Sequence, residues 1–87
     1  MNIKIYVNKI DASHIASKIK GYFILDNERF NFNGIAFGRI GGHNINIKLS
    51  KKDQRRLSTL GYDPESIIIQ VQRMMVEGDL EIIDNKK

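Results

Sequence analysis

Residues 35–49 read Ile-Ala-Phe-Gly-Arg-Ile-Gly-Gly-His-Asn-Ile-Asn-Ile-Lys-Leu. Apolar and polar side chains alternate on both sides of Gly41–Gly42. A period of two marks a half-buried strand, and paired glycines supply the positive φ angles of a two-residue turn. The stretch predicts an antiparallel hairpin with arms Ile35–Ile40 and His43–Leu49. Around such a turn Gly38 faces Ile45, Phe37 faces Asn46 and Ala36 faces Ile47. One face then carries Ala36, Gly38, Ile40, Ile45 and Ile47, small and apolar, suited to a helix lying across it. The other carries Ile35, Phe37 and Arg39 with Asn44, Asn46 and Lys48, basic and polar around one aromatic.

Working upstream, Arg29–Asn33 and Tyr22–Leu25 read as strands joined by an Asp26–Asn27 turn. At the start, Ile3, Ile5 and Val7 alternate with Lys4, Tyr6 and Asn8, a further half-buried strand. Between these lies a short helical signal: Asp11 as N-cap, Ala12, Ile15, Ala16 and Ile19 as an apolar stripe, and Gly21 as the stop.

Downstream, Ser50 caps a helix over Lys51–Leu60, with Asp53 three residues on and Leu57 and Leu60 as core anchors. Gly61 ends it. Asp63-Pro64-Glu65 opens a second helix with Asp as N-cap and Pro in the first turn. Ile67, Ile68, Val71, Met74 and Met75 give that helix a wide apolar face, Gly78 ends it, and Leu80–Asp84 reads as a last strand. The predicted class is α+β, in the order β-α-β-β-β-β-α-α-β, with the middle strands open to merging. An antiparallel-rich sheet with helices packed on one face accommodates that order, and so does a ferredoxin-like split βαβ layout. Residues 1–87 are expected to form a single domain with a frayed tail at 85–87.

Size and composition restrict what such a domain does. At 87 residues the chain is too short for a barrel enzyme or a doubly wound dinucleotide domain. It has no Cys, hence no disulfide, thiolate zinc site or Cys nucleophile. Met1–Asn8 alternates and holds no apolar signal core, and no run approaches the roughly 20 residues that cross a bilayer. The expectation is a cytoplasmic protein without a membrane partner. Ile, Asn and Lys are abundant, and their codons are AT-rich, as in many bacterial and phage genomes.

Catalytic constellations are missing from the pattern. His14 and His43 are 29 positions apart; His14 follows Asp11 by three, an acid read here as an N-cap, and His43 has no carboxylate or His at helical spacing. The serines lack a nucleophile-elbow context, and the glycines fit neither dinucleotide nor phosphate-loop motifs. The expectation is a non-enzymatic protein with no metal and no cofactor.

Charge is informative. The overall +4 divides into eleven basic against four acidic residues over 1–62, a net +7, and one against six over 63–85, a net −5. Such a division points one side of the domain at an anionic partner, against the bland alternative of ordinary surface charge. Two groups carry the basic character. Lys4 and Tyr6 on the first strand share the polar type of the Phe37, Arg39 and Lys48 face, and adjacent placement of those strands would interleave aromatics with cations. Lys51, Lys52, Arg55 and Arg56 cluster on the first turns after Ser50, where a solvated helix face is the plainer reading.

Ile5-Tyr6-Val7 resembles the first-strand motif of RNA-recognition domains, and residues 33–40, Asn-Gly-Ile-Ala-Phe-Gly-Arg-Ile, are similar to their third-strand motif. The likeness covers about a dozen residues. It departs at Asn33, where the motif is basic, at Ile35, where it is aromatic, and at Gly38, where it has Val. The gap between the motifs is short, and the Gly41–Gly42 hairpin is additional.

Two functions remain. The first is a small protein-binding module, an inhibitor or modulator of a nucleic-acid-handling host system, of the phage or mobile-element kind to which anti-CRISPR proteins belong. An exposed strand edge would serve it for a partner strand or for a homodimer. The second is binding of RNA or single-stranded DNA by Lys4, Tyr6, Phe37, Arg39 and Lys48 with the Lys51–Arg56 helix.

Overall fold

A computed structural model of the chain describes residues 2–12, 15–37 and 44–83. It is α+β. Strands β1 (Ile3–Ala12), β2 (Ala16–Leu25), β3 (Glu28–Phe37) and β4 (Asn44–Lys48) precede helices α1 (Lys51–Thr59) and α2 (Pro64–Val76), and a short β5 (Glu81–Ile82) closes the order. The five strands form one sheet in the order β4-β3-β2-β1-β5. Three neighbouring pairs are antiparallel, and β5 runs parallel to β1. Among the described residues no helix is long and apolar enough to cross a membrane.

The helix expected between the first two strands does not exist. Its stripe is not a core stripe: Ile15 is 77% exposed and Ala12 is exposed, and only Ile19 is buried. The same residues obey a stronger period of two. Ile19, Gly21, Phe23 and Leu25 point into the core, while Lys18, Lys20 and Tyr22 point away. As a strand, β2 pairs along its length with β3 and along most of it with β1. Pairing on two sides outweighs the marginal preference of a short helix with two alanines on its face. Without that helix the order is β-β-β-β-α-α-β, and the split βαβ that a ferredoxin-like layout needs at its start is absent.

The phase of β1 slips once. Ile3, Ile5 and Val7 face the core, then the register shifts between Val7 and Lys9, so that Lys9 pairs with Lys20 and Ile10 with Ile19. This bulge at Asn8 moves Lys9 and Asp11 to the face that Lys4 and Tyr6 occupy. Opposite it, Gly21 lets the strands close up: a Cβ there would lie 2.2 Å from the Tyr6 carbonyl oxygen.

The turn between β2 and β3 is the two-residue type expected, with Asp26 and Asn27 at φ 55° and 62°. Beyond it β3 continues unbroken to Phe37. Its pairing with β4 sets Phe37 against Asn44, Ala36 against Ile45 and Gly34 against Ile47. That is two residues away from the register of a Gly41–Gly42 turn, and the turn itself, with Gly38, Arg39, Ile40 and His43, lies outside the described residues. His14 and the tail at 85–87 also lie outside them. A shift of two preserves which side chains share a face.

One face of the sheet is covered. Phe23, Leu25, Phe30, Leu57, Ile67 and Val71 are fully buried and form one cluster with Ile5, Val7, Phe32, Ile47 and Met75. Both helices thus pack on the same side. Ser50 caps α1 by accepting from the Asp53 backbone N–H. Asp63 stands at the N-cap of α2, but its carboxylate accepts from the Ser66 hydroxyl instead of a backbone N–H. Leu60 is 37% exposed and takes no place in the core, unlike Leu57. The last strand is shorter than expected, although the Ile83 backbone N–H still donates to the Val7 carbonyl.

Two outcomes test this architecture. Gly21→Ala forces a methyl group into the Tyr6 carbonyl and should cost at least about 1–3 kcal/mol in chemical denaturation. The Tyr62 hydroxyl donates to Asp26 Oδ2 at 2.9 Å, and that bond raises the phenol pKa above its ordinary 10.0. The contact stabilises the fold below pH 10 and is lost as pH climbs through the raised value. In an absorbance titration of tyrosine, Asp26→Asn should bring the Tyr62 transition back toward 10.0.

Candidate functional site

Among the described residues no helix lies over the sheet's second face. The pairing registers sort its side chains into rows running across the strands. Lys4, Ile24 and Arg29 form the first row. Tyr6, Tyr22 and Asn31 form the second, with Glu81 of β5 beside Tyr6. Lys9, Lys20, Asn33 and Lys48 form the third, spanning four strands. Asp11, Lys18, Ile35 and Asn46 form the fourth. Phe37 and Asn44 stand at the far end beside Ala16. Among the described residues six cations thus share this face with two carboxylates, Asp11 and Glu81, both contributed from the β1 side.

The second row is stacked in advance. The Tyr6 and Tyr22 rings lie 5.1 Å apart at 27°, and the Arg29 guanidinium sits 3.9 Å from the Tyr22 ring centre. Asn31 accepts from Arg29 Nε at 3.1 Å and fixes it there. Tyr22 is therefore held between Tyr6 and Arg29, and the aromatic surface left to a ligand in this row is the outer side of Tyr6.

On the other flank of the lysine row the surface is open. A depression of about 510 Å³ is lined by Lys18, Lys20 and Lys48, by Asn33 and Asn46, and by Ile35 and Phe37. Its volume falls in the usual range of about 300–1,000 Å³ for small-ligand sites. Phe37 is 43% exposed, and among the described residues no ring stacks on it. The combination is cations at the rim, amides able to donate and accept, and one aromatic face against an aliphatic floor.

The structure separates several residues that the sequence suggested would act together. Lys4, Tyr6, Phe37 and Lys48 do share one face. Tyr6 and Phe37 are not neighbours, however, because β2 lies between their strands and they sit six residues apart along it, about 20 Å at ~3.3 Å per residue. Lys51, Lys52 and Arg55 are exposed on α1 and stand in none of these rows, although Ser50 and Asp53 at the start of that helix border a hollow with Lys20, Asn33 and Lys48. Lys52 and Arg55 line a shallower hollow of about 310 Å³ with Glu28 and Leu60.

Arg56 is committed elsewhere. Its guanidinium donates to Glu28 at 2.7 Å, to Asp53 at 2.9 Å and to the Arg29 carbonyl at 3.0 Å, and it lies 4.4 Å from the Phe30 ring centre. The bonds to Glu28 and then Asp53 raise its pKa further above an already high value. It fastens α1 along the stretch of β3 that β4 does not reach. Sequence reasoning missed Tyr22, Lys9, Lys18 and Lys20, having assigned the last two to a helix. Their signal was present as the Lys-Ile-Lys alternation before Gly21.

The β4 edge offers less to a partner strand than its position suggests. The Ile47 N–H donates to Gln72 Oε1 of α2 at 2.9 Å, and the Leu49 carbonyl accepts from Gln54 Nε2 at 3.0 Å. Side chains of the domain thus fill polar groups at this edge, a common way of blunting it.

The different duties of two adjacent arginines are measurable. Arg56→Ala should lower the melting temperature by several degrees, because it frees the Glu28 and Asp53 carboxylates and uncovers Phe30. Arg55→Ala should leave it unchanged within about a degree, as expected for an exposed side chain. No family model, curated protein or solved structure matches the chain.

Proposed function

We propose that the protein binds single-stranded nucleic acid on the uncovered face of its sheet. The observation that carries this reading is the Lys9-Lys20-Asn33-Lys48 row, flanked by Tyr6 on one side and by Ile35 and Phe37 on the other. Phosphates need closely spaced cations, and unpaired bases need aromatic faces beside them. A duplex hides its bases and would engage only the cations. An acidic protein surface would satisfy the lysines as well. It has no comparable use for an exposed phenylalanine set among asparagines, whose side-chain amides match the donor and acceptor edges of bases.

In this reading Lys9, Lys20 and Lys48 neutralise phosphate, with Lys18 supporting them. Phe37 takes a base on its exposed face. Asn33 and Asn46 meet base edges inside the depression. Lys4 and Arg29 add long-range attraction. No bond-making step is assigned to the site.

Fluorescence anisotropy with a labelled oligothymidylate at low and moderate salt tests the reading. Binding should weaken with salt, exceed that of a duplex of equal length, and fall about tenfold in Phe37→Ala, within the ~1–3 kcal/mol that stacking one base contributes. Absence of binding at low salt would sink the proposal. Equal competition by polyglutamate, with Phe37→Ala unaltered, would overturn it in favour of an acidic protein partner.

A further inference from the structure

We infer that the nucleic-acid strand crosses the sheet at right angles to β2, its phosphates following the Lys9-Lys20-Lys48 row, with a footprint of about four nucleotides. This rests on the function proposed above and adds the path and the number of contacts.

The geometry excludes the competing path, along the strands. A polynucleotide lying parallel to β2 would meet Lys20 and Lys18, then Ala16 and Phe37 in one direction, and Tyr22 between Tyr6 and Arg29 in the other. Beyond Lys18 and Lys20 its backbone would have to pass the closed tyrosine stack, where the one cation, Arg29, is already engaged with the Tyr22 ring and Asn31. Across the strands the spacing is uniform. Neighbouring strands lie about 4.8 Å apart, so Lys9 and Lys48 are separated by roughly 14 Å over three intervals, with Lys20 in between. The row holds no carboxylate. Asn33, its fourth member, keeps the line polar without opposing the anion.

The two flanks of the row differ in what they accept. On the Phe37 side the depression is open, with Ile35 as floor and two asparagines at hand. On the Tyr6 side Tyr22 is enclosed and Glu81 stands next to Tyr6. Each flank carries one carboxylate, Glu81 beside Tyr6 and Asp11 opposite Lys18, which keeps phosphate on the lysine row, while the open Phe37 ring and the two asparagines turn the bases to that side.

Salt dependence counts the phosphates. For single strands the slope of log K against log salt is about −0.7 per neutralised phosphate, so three contacts predict about −2. A length series of oligothymidylates should reach its affinity plateau near four nucleotides, at the low end of the ~4–16 known for open β-folds. Lys20→Gln should reduce the slope to about −1.4, and combined Lys9→Gln, Lys20→Gln, Lys48→Gln should bring it close to zero. The combined variant Lys51→Gln, Lys52→Gln, Arg55→Gln should leave it near −2. Thermal melting of each variant establishes that it folds, and these lysines are exposed on the surface. A slope that responds to the helix variant and not to the row, or a plateau well beyond eight nucleotides, overturns the path while leaving single-strand binding in place. If no oligonucleotide binds at low salt, function and path fall together.

Discussion

The Asp26–Asn27 turn fixes the register of β2 against β3, and every other face in the molecule follows from it. Two consecutive positive φ angles match the twist of the flanking strands and allow a single pairing. Three positions from the turn, Phe23 and Phe30 stack at 5.3 Å and are wholly buried. A slip of β2 by one residue would move Phe23 to the open face, away from Phe30, and turn Lys18 and Lys20 into the core. Arg56 lies over the outer side of Phe30, so the same pair also seats α1. The cationic surface is thus a consequence of the turn.

From that register the layers assemble by elimination. Only the face with Phe23, Phe30, Phe32 and the aliphatic residues of β1 can bury apolar area against Leu57, Ile67, Val71 and Met75. Two helices suffice to cover it, and among the described residues no other helix is left for the second face. That face stays in water and is composed accordingly. Its aliphatic and phenyl members, Ile24, Ile35 and Phe37, stand among lysines, asparagines and an arginine. The acidic residues from Asp63 to Glu81 lie on α2, at its ends and on β5, and the net charge of +4 accordingly sums a basic sheet face and α1 with an acidic α2 region.

Much of this was legible in the residues. Period-two alternation placed β3 and β4 and assigned their side chains to the correct faces, even though the assumed register was two residues off. Capping and proline chemistry placed both helices. What failed was the interval from Asp11 to Gly21, where a helical stripe of two alanines and two isoleucines competes with strand alternation. The deciding signals were subtle ones: the apolar phase slips from Val7 to Ile10, which is how a bulge reads in sequence, and Gly21 follows Lys-Ile-Lys. Both are resolved by tertiary pairing, since β2 gains hydrogen-bonded neighbours on two sides. Arg56 was misread for a related reason. Helical spacing groups it with Lys52 and Arg55, and only the packing of α1 against β3 separates its role from theirs.

The lysine row is the point at which local rules are broken. Lys9 and Lys20 face each other directly across β1 and β2, and like charges in that position destabilise a sheet by some tenths of a kcal/mol. The bulge at Asn8 creates that pairing, since unbroken alternation would set Asn8 opposite Lys20. Asp11 offsets Lys18 in the next row but not the pair itself. Core packing does not call for this arrangement, because on the other side only Ile19 is buried, and Ile10 is half exposed. A fold whose levels otherwise agree carries such conflicts at its functional sites. An anion laid along the row would turn a repulsion intrinsic to the free protein into an attraction gained on binding.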